Sequence, residues 1–453
     1  MRCLCGSPCG MMDRENVLPG RGCNTTMMTE VYLSPLFDKG KRHMTDVAAV
    51  VRELVVFLLI ALIVILVVRR LAIPYTLGLV VAGLLISISG LFPEERLTPD
   101  LVLFVFLPAL LFEGSWSAEI QRLRANWVSI FLLAGPGLLL SLVLIAVLLH
   151  FIAGLAWEPA FLLGAILSPT DPVAVLGLFR QLKVDRDLST IIEGESLFND
   201  GVAGSLYLIF LAFVLLSVQG QPASGFQAWL SGIGDFLLEA GGGAVAGLVC
   251  GFLVSRLVKF IDDPLIETTI TIVTAYGVYL LADALHTSGI IAVILAALLL
   301  GSYGREMGMS ERTQEAVDSF WSVLAFIANA LLFLLVGVQL NPRRFLSSAS
   351  LSFLLVTAGL TIAAVLLSRL VVVLALPRFL PPAAGQFLPG WRFVIFWSGL
   401  RGALSLALVL ALPANVPSHD ALVVATYAVV LFTLLVQGFS LRSILKRLPS
   451  VAG

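Results

Sequence analysis

Residues 168–175 read SPTDPVAV, and they interrupt an apolar run, AFLLGAILSPTDPVAVLGLF, that extends from Ala160 to Phe179. A run of this length suits an α-helix crossing a hydrocarbon core about 30 Å thick. Proline removes a backbone donor and clashes with the preceding turn, so Pro169 and Pro172 open the helix and free its carbonyls. Inside a membrane, freed backbone is tolerated only where it is buried in protein or lines a cavity. Carbonyls, the Thr170 hydroxyl and the Asp171 carboxylate are hard oxygen ligands of the kind an alkali cation takes. A purely structural reading fits the same residues: a proline kink whose second half-helix is capped by Asp171. The octapeptide alone does not choose between them.

The rest of the chain puts this interruption in a membrane. Of 453 residues, 59% are hydrophobic and 13% charged, and the mean hydropathy is +1.00, far from the balance of a soluble domain. The fold class is therefore an all-α polytopic membrane protein, with lipid as its surroundings. About thirteen apolar runs qualify as spans, from Val47–Val68 to Ala421–Leu441, with Leu188–Val218, Phe236–Phe260 and Phe320–Leu340 among them. A net charge of -1 leaves no basic face for nucleic acid.

Basic residues are concentrated after odd-numbered runs: Arg69 and Arg70, Arg122 and Arg124, Arg180, Lys183 and Arg186, Arg256 and Lys259, Arg305 and Arg312, Arg378, then Arg442, Lys446 and Arg447. Connections after even-numbered runs are poor in them, apart from Arg96, Arg343 and Arg344. The positive-inside rule then places the C-terminus in the cytoplasm and the N-terminus outside. Residues 1–43 have no apolar periodicity or signal-peptide core and read as a disordered or spurious leader, with Met28 and Met44 as alternative starts. Cys3, Cys5, Cys9 and Cys23 lie there, but no histidine completes a zinc spacing. Residues 44–445 form the membrane domain and 446–453 a short cytoplasmic tail. Regulation is expected in the membrane part or in loops such as Gly304–Asp318.

Ionisable residues inside spans are costly and mark function or pairing. In EGESLFND, Glu193 to Asp200, the pairs Ser196/Asp200 and Glu195/Asn199 are four apart and occupy adjacent helix faces. One acid can face a cavity while the other needs a buried cation. Glu193 reads as a residue at the start of its helix, at the cytoplasmic boundary. Arg369, in AVLLSRLVVVLAL, is too deep to snorkel and must be ion-paired. Arg401, in SGLRGALSL, lies between Gly399 and Gly402, which suits a second break whose carbonyls the guanidinium serves. Two interrupted spans in corresponding halves point to a transporter built on inverted repeats. Glu113, in LPALLFEGSW, is either a solvated interface residue or a third carboxylate of the funnel. His286 and Asp283 read as interface residues, and Gly289 as small-residue helix packing.

SPTDPVAV, GESLFNDG, an arginine in a late apolar span and SGLRGALSLAL, in this order, resemble the cation:proton antiporter superfamily. They look most like its electroneutral sodium/proton branch, of bacterial or archaeal type, over about Leu54 to Leu441. The resemblance implies a core domain with two crossed interrupted helices, a dimerisation domain and a homodimer in the cell membrane. It implies Na+ and H+ sharing a site at Asp200, with Asp171, Ser196 and Thr170 completing it and Glu113 taking part through water. It further implies that Asn199 stabilises the break, that Glu195 pairs with Arg369, and that Asn-Asp accompanies one-for-one exchange. The long leader and the lack of a large cytoplasmic tail depart from the pattern.

A carboxylate withdrawn from water carries its charge at a cost that either a proton or a cation relieves, so the two compete at Asp200. Exchange then needs neither ATP nor a cofactor, and the protein is no enzyme. The rivals are a K+/H+ antiporter of the same fold, a cation channel and an intramembrane aspartyl protease. The last needs two acids on one water and has a GxGD signature that this chain lacks.

Overall fold

The computed structural model describes residues 51–68, 70, 75–90, 102–219, 226–339, 351–375, 389–413 and 415–448. The predicted leader with its four cysteines, Arg69, Arg96, Arg343, Arg344, Arg378 and the end of the tail lie outside the described residues. The contacts discussed below are made by residues from Phe57 onward.

The described residues are helical, with no β-strand among them. Among the described residues, nine helices are long and apolar enough to cross a membrane, and shorter apolar helices cover Tyr75–Ser89, Leu103–Trp116 and Trp157–Leu167. The elements that position the site are α1 (Leu107–Trp116), α2 (Trp157–Leu167), α3 (Val173–Leu182), α4 (Arg186–Val218), α5 (Glu311–Gln339), α6 (Leu351–Ala375), α7 (Pro389–Trp397), α8 (Ala403–Leu410) and α9 (His419–Phe432). Helices α2 and α3 are the two halves of the SPTDPVAV span, and α7 and α8 the halves of the SGLRGAL span.

The hydropathy runs mark the membrane and not the ends of the helices. The described part of the run Phe320–Leu340 is the apolar part of α5, which begins at Glu311 because ERTQEAVDS contains good helix formers that continue into water. Likewise, the segment read as a loop over Gly304–Asp318 is mostly helical: Arg305–Gly308 forms one turn and α5 starts three residues later. A hydrogen-bonded cluster holds it, with Arg305 Nη2 donating to Asp318 Oδ2 at 2.7 Å and Trp116 Nε1 to Asp318 Oδ1 at 2.7 Å.

One large apolar cluster joins α1, α2 and α4 to the helices before and after them, through residues such as Phe112, Leu162, Ile145, Val293 and Trp321. Phe112 stacks on Trp321 with ring centroids 4.3 Å apart. A second cluster joins Leu79, Phe333, Leu406 and Tyr427, tying α5 to α8 and α9. There the helix Tyr75–Ser89 runs so close to α5 that a Cβ on Gly83 would lie 2.8 Å from the Gly337 Cα. Outward positions stay apolar, including Phe151, Leu238, Leu253 and Leu265, as a lipid-facing surface requires.

Candidate functional site

The site grows from the two interruptions. Helix α2 stops at Leu167, residues 169–172 are non-helical, and α3 starts at Val173. Helix α7 stops at Trp397 and α8 starts at Ala403. Each interruption leaves carbonyls without donors on one side and N–H groups without acceptors on the other. The two breaks meet and satisfy one another. Asp171 N donates to the Leu400 carbonyl at 2.8 Å. The Asp171 carboxylate accepts from Val173 N at 2.9 Å and from Ala403 N at 3.1 Å, so one anion serves the N-terminal ends of both α3 and α8. In return, Arg401 Nη1 donates to the Ser168 carbonyl at 2.6 Å and the Pro169 carbonyl at 2.8 Å, at the C-terminal end of α2. Anion at N-terminus and cation at C-terminus is the sense the helix dipoles favour.

The remaining C-terminal end, that of α7, is served by Arg369 of α6, whose Nη2 donates to the Ile395 carbonyl at 3.0 Å. Arg369 also forms a bidentate pair with Glu195: Nη1 meets Oε1, and Nη2 donates to Oε2 at 2.8 Å. Both side chains are buried, at 6% and 2% exposure. Bidentate geometry with no carboxylate oxygen left unpaired is the arrangement that makes a buried pair tenable. Two glycines make these approaches possible. A Cβ on Gly399 would lie 2.9 Å from Arg369 Nε, and one on Gly402 would collide with the Asp171 carboxylate. Arg401 is fixed further by its backbone N–H, which donates to Thr433 Oγ1 at 3.2 Å, at the start of a π-helical turn covering Thr433–Gln437.

Helix α4 crosses beside the first break. Asn199 Nδ2 donates to Thr170 Oγ1 at 2.9 Å, its Oδ1 accepts from Thr170 N at 3.4 Å, and the Thr170 and Ser196 hydroxyls are 3.0 Å apart. With Thr170 as donor in that last contact, each hydroxyl oxygen keeps a lone pair. Asp200, one turn beyond Ser196, lies on the same face. Among the described residues its carboxylate has no hydrogen-bond or ion-pair partner.

A cavity of about 130 Å³ opens between α1, the two breaks, α4 and α5, large enough for several waters or a partly hydrated ion. Asp200, Asp171, Thr170, Ser196 and Glu113 all line it, whereas Asn199, Glu195, Arg369 and Arg401 stand behind its wall. Four carboxylates, those of Glu113, Asp171, Glu193 and Asp200, line it with one guanidinium, that of Arg180, so acidic groups outnumber basic ones on its wall. Glu193, which the sequence places at the start of its helix, lies two turns inside α4 and lines the cavity, as do Arg180, Ser405 and Asn329, which the sequence does not single out as site residues. A lone amide within AFIANALLFLL was the available signal for Asn329.

A family model described as sodium/hydrogen exchanger, transmembrane, matches residues 57–447. The chain is 38% identical over 386 residues to the low-affinity Na(+)/H(+) antiporter NhaS1 of Synechocystis, covering 84% of this chain and 70% of that one. It is 38% identical over 378 residues to the Na(+)/H(+) antiporter ApNhaP of Aphanothece halophytica, covering 83% and 70%. Its fold matches the solved structure of the sodium proton antiporter MjNhaP1 from Methanocaldococcus jannaschii with a TM-score of 0.71 at 19% identity, over 89% of this chain and 99% of that one.

Proposed function

The chain belongs to the sodium/hydrogen exchanger family, and we propose that it exchanges Na+ for H+ one for one across the cell membrane, with both ions competing for Asp200. It is a secondary transporter and not an enzyme. One observation carries the proposal: Asp200 is a carboxylate on the unbroken α4 with no hydrogen-bond or ion-pair partner among the described residues, opening on a cavity beside Asp171, whose two oxygens are engaged in capping. A cation on Asp200 completes its shell from the Thr170 and Ser196 hydroxyls, with Asp171 and Glu113 adding charge and Asn199 holding Thr170 in place. A proton on Asp200 removes the attraction and releases the cation.

Rigid-body movement of the broken helices and α4 against the rest of the protein carries the site across when either ion is bound. Asn199, neutral beside Asp200, favours one charge in and one out. The chain acts as a homodimer with its N-terminus outside and its C-terminus in the cytoplasm, the sense that the arginine and lysine bias supports. A protease reading is disfavoured because both oxygens of Asp171 accept backbone N–H bonds, leaving it unfit to share a catalytic water with Asp200.

The test is a proteoliposome assay with an imposed pH gradient, adding Na+, Li+ or K+ in turn, with and without a clamped membrane potential. Na+ and Li+ should dissipate the gradient regardless of the clamp, and Asp200→Asn should abolish the response while eluting as a folded protein. Dissipation by K+ in place of Na+ would make it a K+/H+ antiporter. Robust sodium flux in Asp200→Asn would remove Asp200 from the mechanism.

A further inference from the structure

We infer that Asn329 is a specificity-determining ligand of the transported cation, contributed by α5 to the cavity that Thr170 and Ser196 also line. The inference rests on the reading of the Asp200 cavity as the transport site.

Among the residues lining the cavity, Asn329 is the one that α5 supplies. It is 5% exposed, and its Oδ1 has no hydrogen-bond partner. Its neighbours on α5 pack in apolar clusters: Ala328 with Phe106, Leu331 and Ala407, and Ala330 with Leu79 and Leu406. A buried amide acceptor left unsatisfied is unfavourable, and buried polar groups without protein partners call for another explanation. An apolar residue of similar size would fit this seam without that cost. What the amide has within reach is the cavity, and rotation about its Cβ–Cγ bond exchanges the oxygen and nitrogen ends.

Ser405 of α8, also buried, lines the same cavity and has an unpartnered Oγ. Asp200 and Asp171 therefore give the cation a charged wall, and Asn329 with Ser405 adds to the hydroxyls of Thr170 and Ser196 to make a neutral oxygen wall. Neutral oxygens at a fixed distance from a carboxylate sort alkali ions by size, since cavity size and ligand number decide which hydration shell is replaced. The charged wall governs competition with the proton. The neutral wall governs which cation competes.

The experiment measures exchange in proteoliposomes and, separately, the rise in thermal midpoint on adding Na+, Li+ or K+ to protein in detergent, for wild type, Asn329→Ala, Asn329→Leu and Asp200→Asn. The second readout follows binding without transport, because a ligand bound to the native state alone raises its stability. Asn329→Ala and Asn329→Leu should raise the apparent KM for Na+ by roughly tenfold, the loss of about one ligand hydrogen-bond equivalent. They should change the Na+ to K+ ratio, keep the maximal rate within about twofold and leave the ion-free midpoint unchanged or higher in the leucine variant. Unchanged ion ratios in both variants, with wild type active and Asp200→Asn inactive, would overturn the role of Asn329 and spare that of Asp200. Wild type inactive with all three ions, or Asp200→Asn fully active, would instead remove the transport reading on which the inference stands. If one variant fails to fold, the other decides by the same ratio.

Discussion

The two interrupted helices are broken by opposite means. The first break is made by prolines and carries an anion, Asp171; the second is made by glycines and carries a cation, Arg401. Prolines withhold donors, so the first break leaves carbonyls free beside a carboxylate. Glycines withhold side chains, so the second leaves room for Asp171 and Arg369 to approach its backbone. Each break then supplies the charge that the other's helix ends lack, Asp171 reaching Ala403 N and Arg401 reaching the Ser168 and Pro169 carbonyls. A membrane helix can thus be opened without leaving buried polar backbone unsatisfied, provided that its partner is opened in the complementary sense. Asp200 differs from both because it stands on the unbroken α4 and caps nothing. Its charge is left without a partner among the described residues.

If fixed charges hold the breaks and Asp200 alone serves the ion, the largest stability effect should come from Arg369, not from Asp200. Arg369→Met strips Glu195 of its bidentate partner and the Ile395 carbonyl of its guanidinium donor. Removing one partner of such a pair should cost about 3–5 kcal/mol, read as a lower thermal midpoint in detergent. Neutralising Glu195 to Gln in the same protein should recover part of it. A midpoint equal to wild type in the single variant would mean that the pair does not hold the second break.

The next effect is smaller and tests the room left by glycine. Gly402→Ala places a methyl group on the Asp171 carboxylate, and relieving such an overlap should cost about 1–3 kcal/mol. Because Asp171 must retreat from Ala403 N, exchange should fall with stability, unlike in Asp200→Asn, where exchange is lost and stability is kept. Gly402→Ala with unchanged stability and rate would show that the close contact between the breaks is dispensable.

Much of this was legible in the sequence because polar residues are rare in lipid-spanning runs. SPTDPVAV announced a break, and SGLRGAL announced its counterpart, since neither proline pairs nor an arginine between glycines belongs in an uninterrupted membrane helix. Helix periodicity placed Glu195 and Asp200 on different faces. The sequence did not reveal that the breaks cap one another, because Asp171 and Ala403 are 232 residues apart and nothing local marks Ala403 N as lacking an acceptor. It left Asp171 open between ligand and cap, and the geometry gives it both a capping role and a place on the cavity wall. Asn329 escaped for a related reason: an amide in an apolar run carries no charge, and only packing shows that it has no partner. The ends of α5 were missed because hydropathy reports lipid, whereas a helix continues into water wherever its backbone bonds and propensities allow.

The smallest effect isolates the proline side of the contrast. Pro172 precedes the first residue of α3, with φ of -85° and ψ of -13°, a conformation that alanine adopts readily. Its carbonyl already accepts from Val175 N and Leu176 N at 2.9 and 2.8 Å, and alanine would keep both bonds. Pro172→Ala therefore removes no hydrogen bond and adds one N–H, and its stability should change by less than about 1 kcal/mol, mostly through the unfolded chain. Any functional change must then come from the added donor, which enters a break otherwise furnished with oxygen and weakens its hold on a cation. The expected result is a modest rise in the apparent KM for Na+ with an unchanged thermal midpoint. A loss of stability as large as that of Gly402→Ala would mean that both breaks depend on steric fit alone, and the distinction between withheld donors and withheld side chains would not hold.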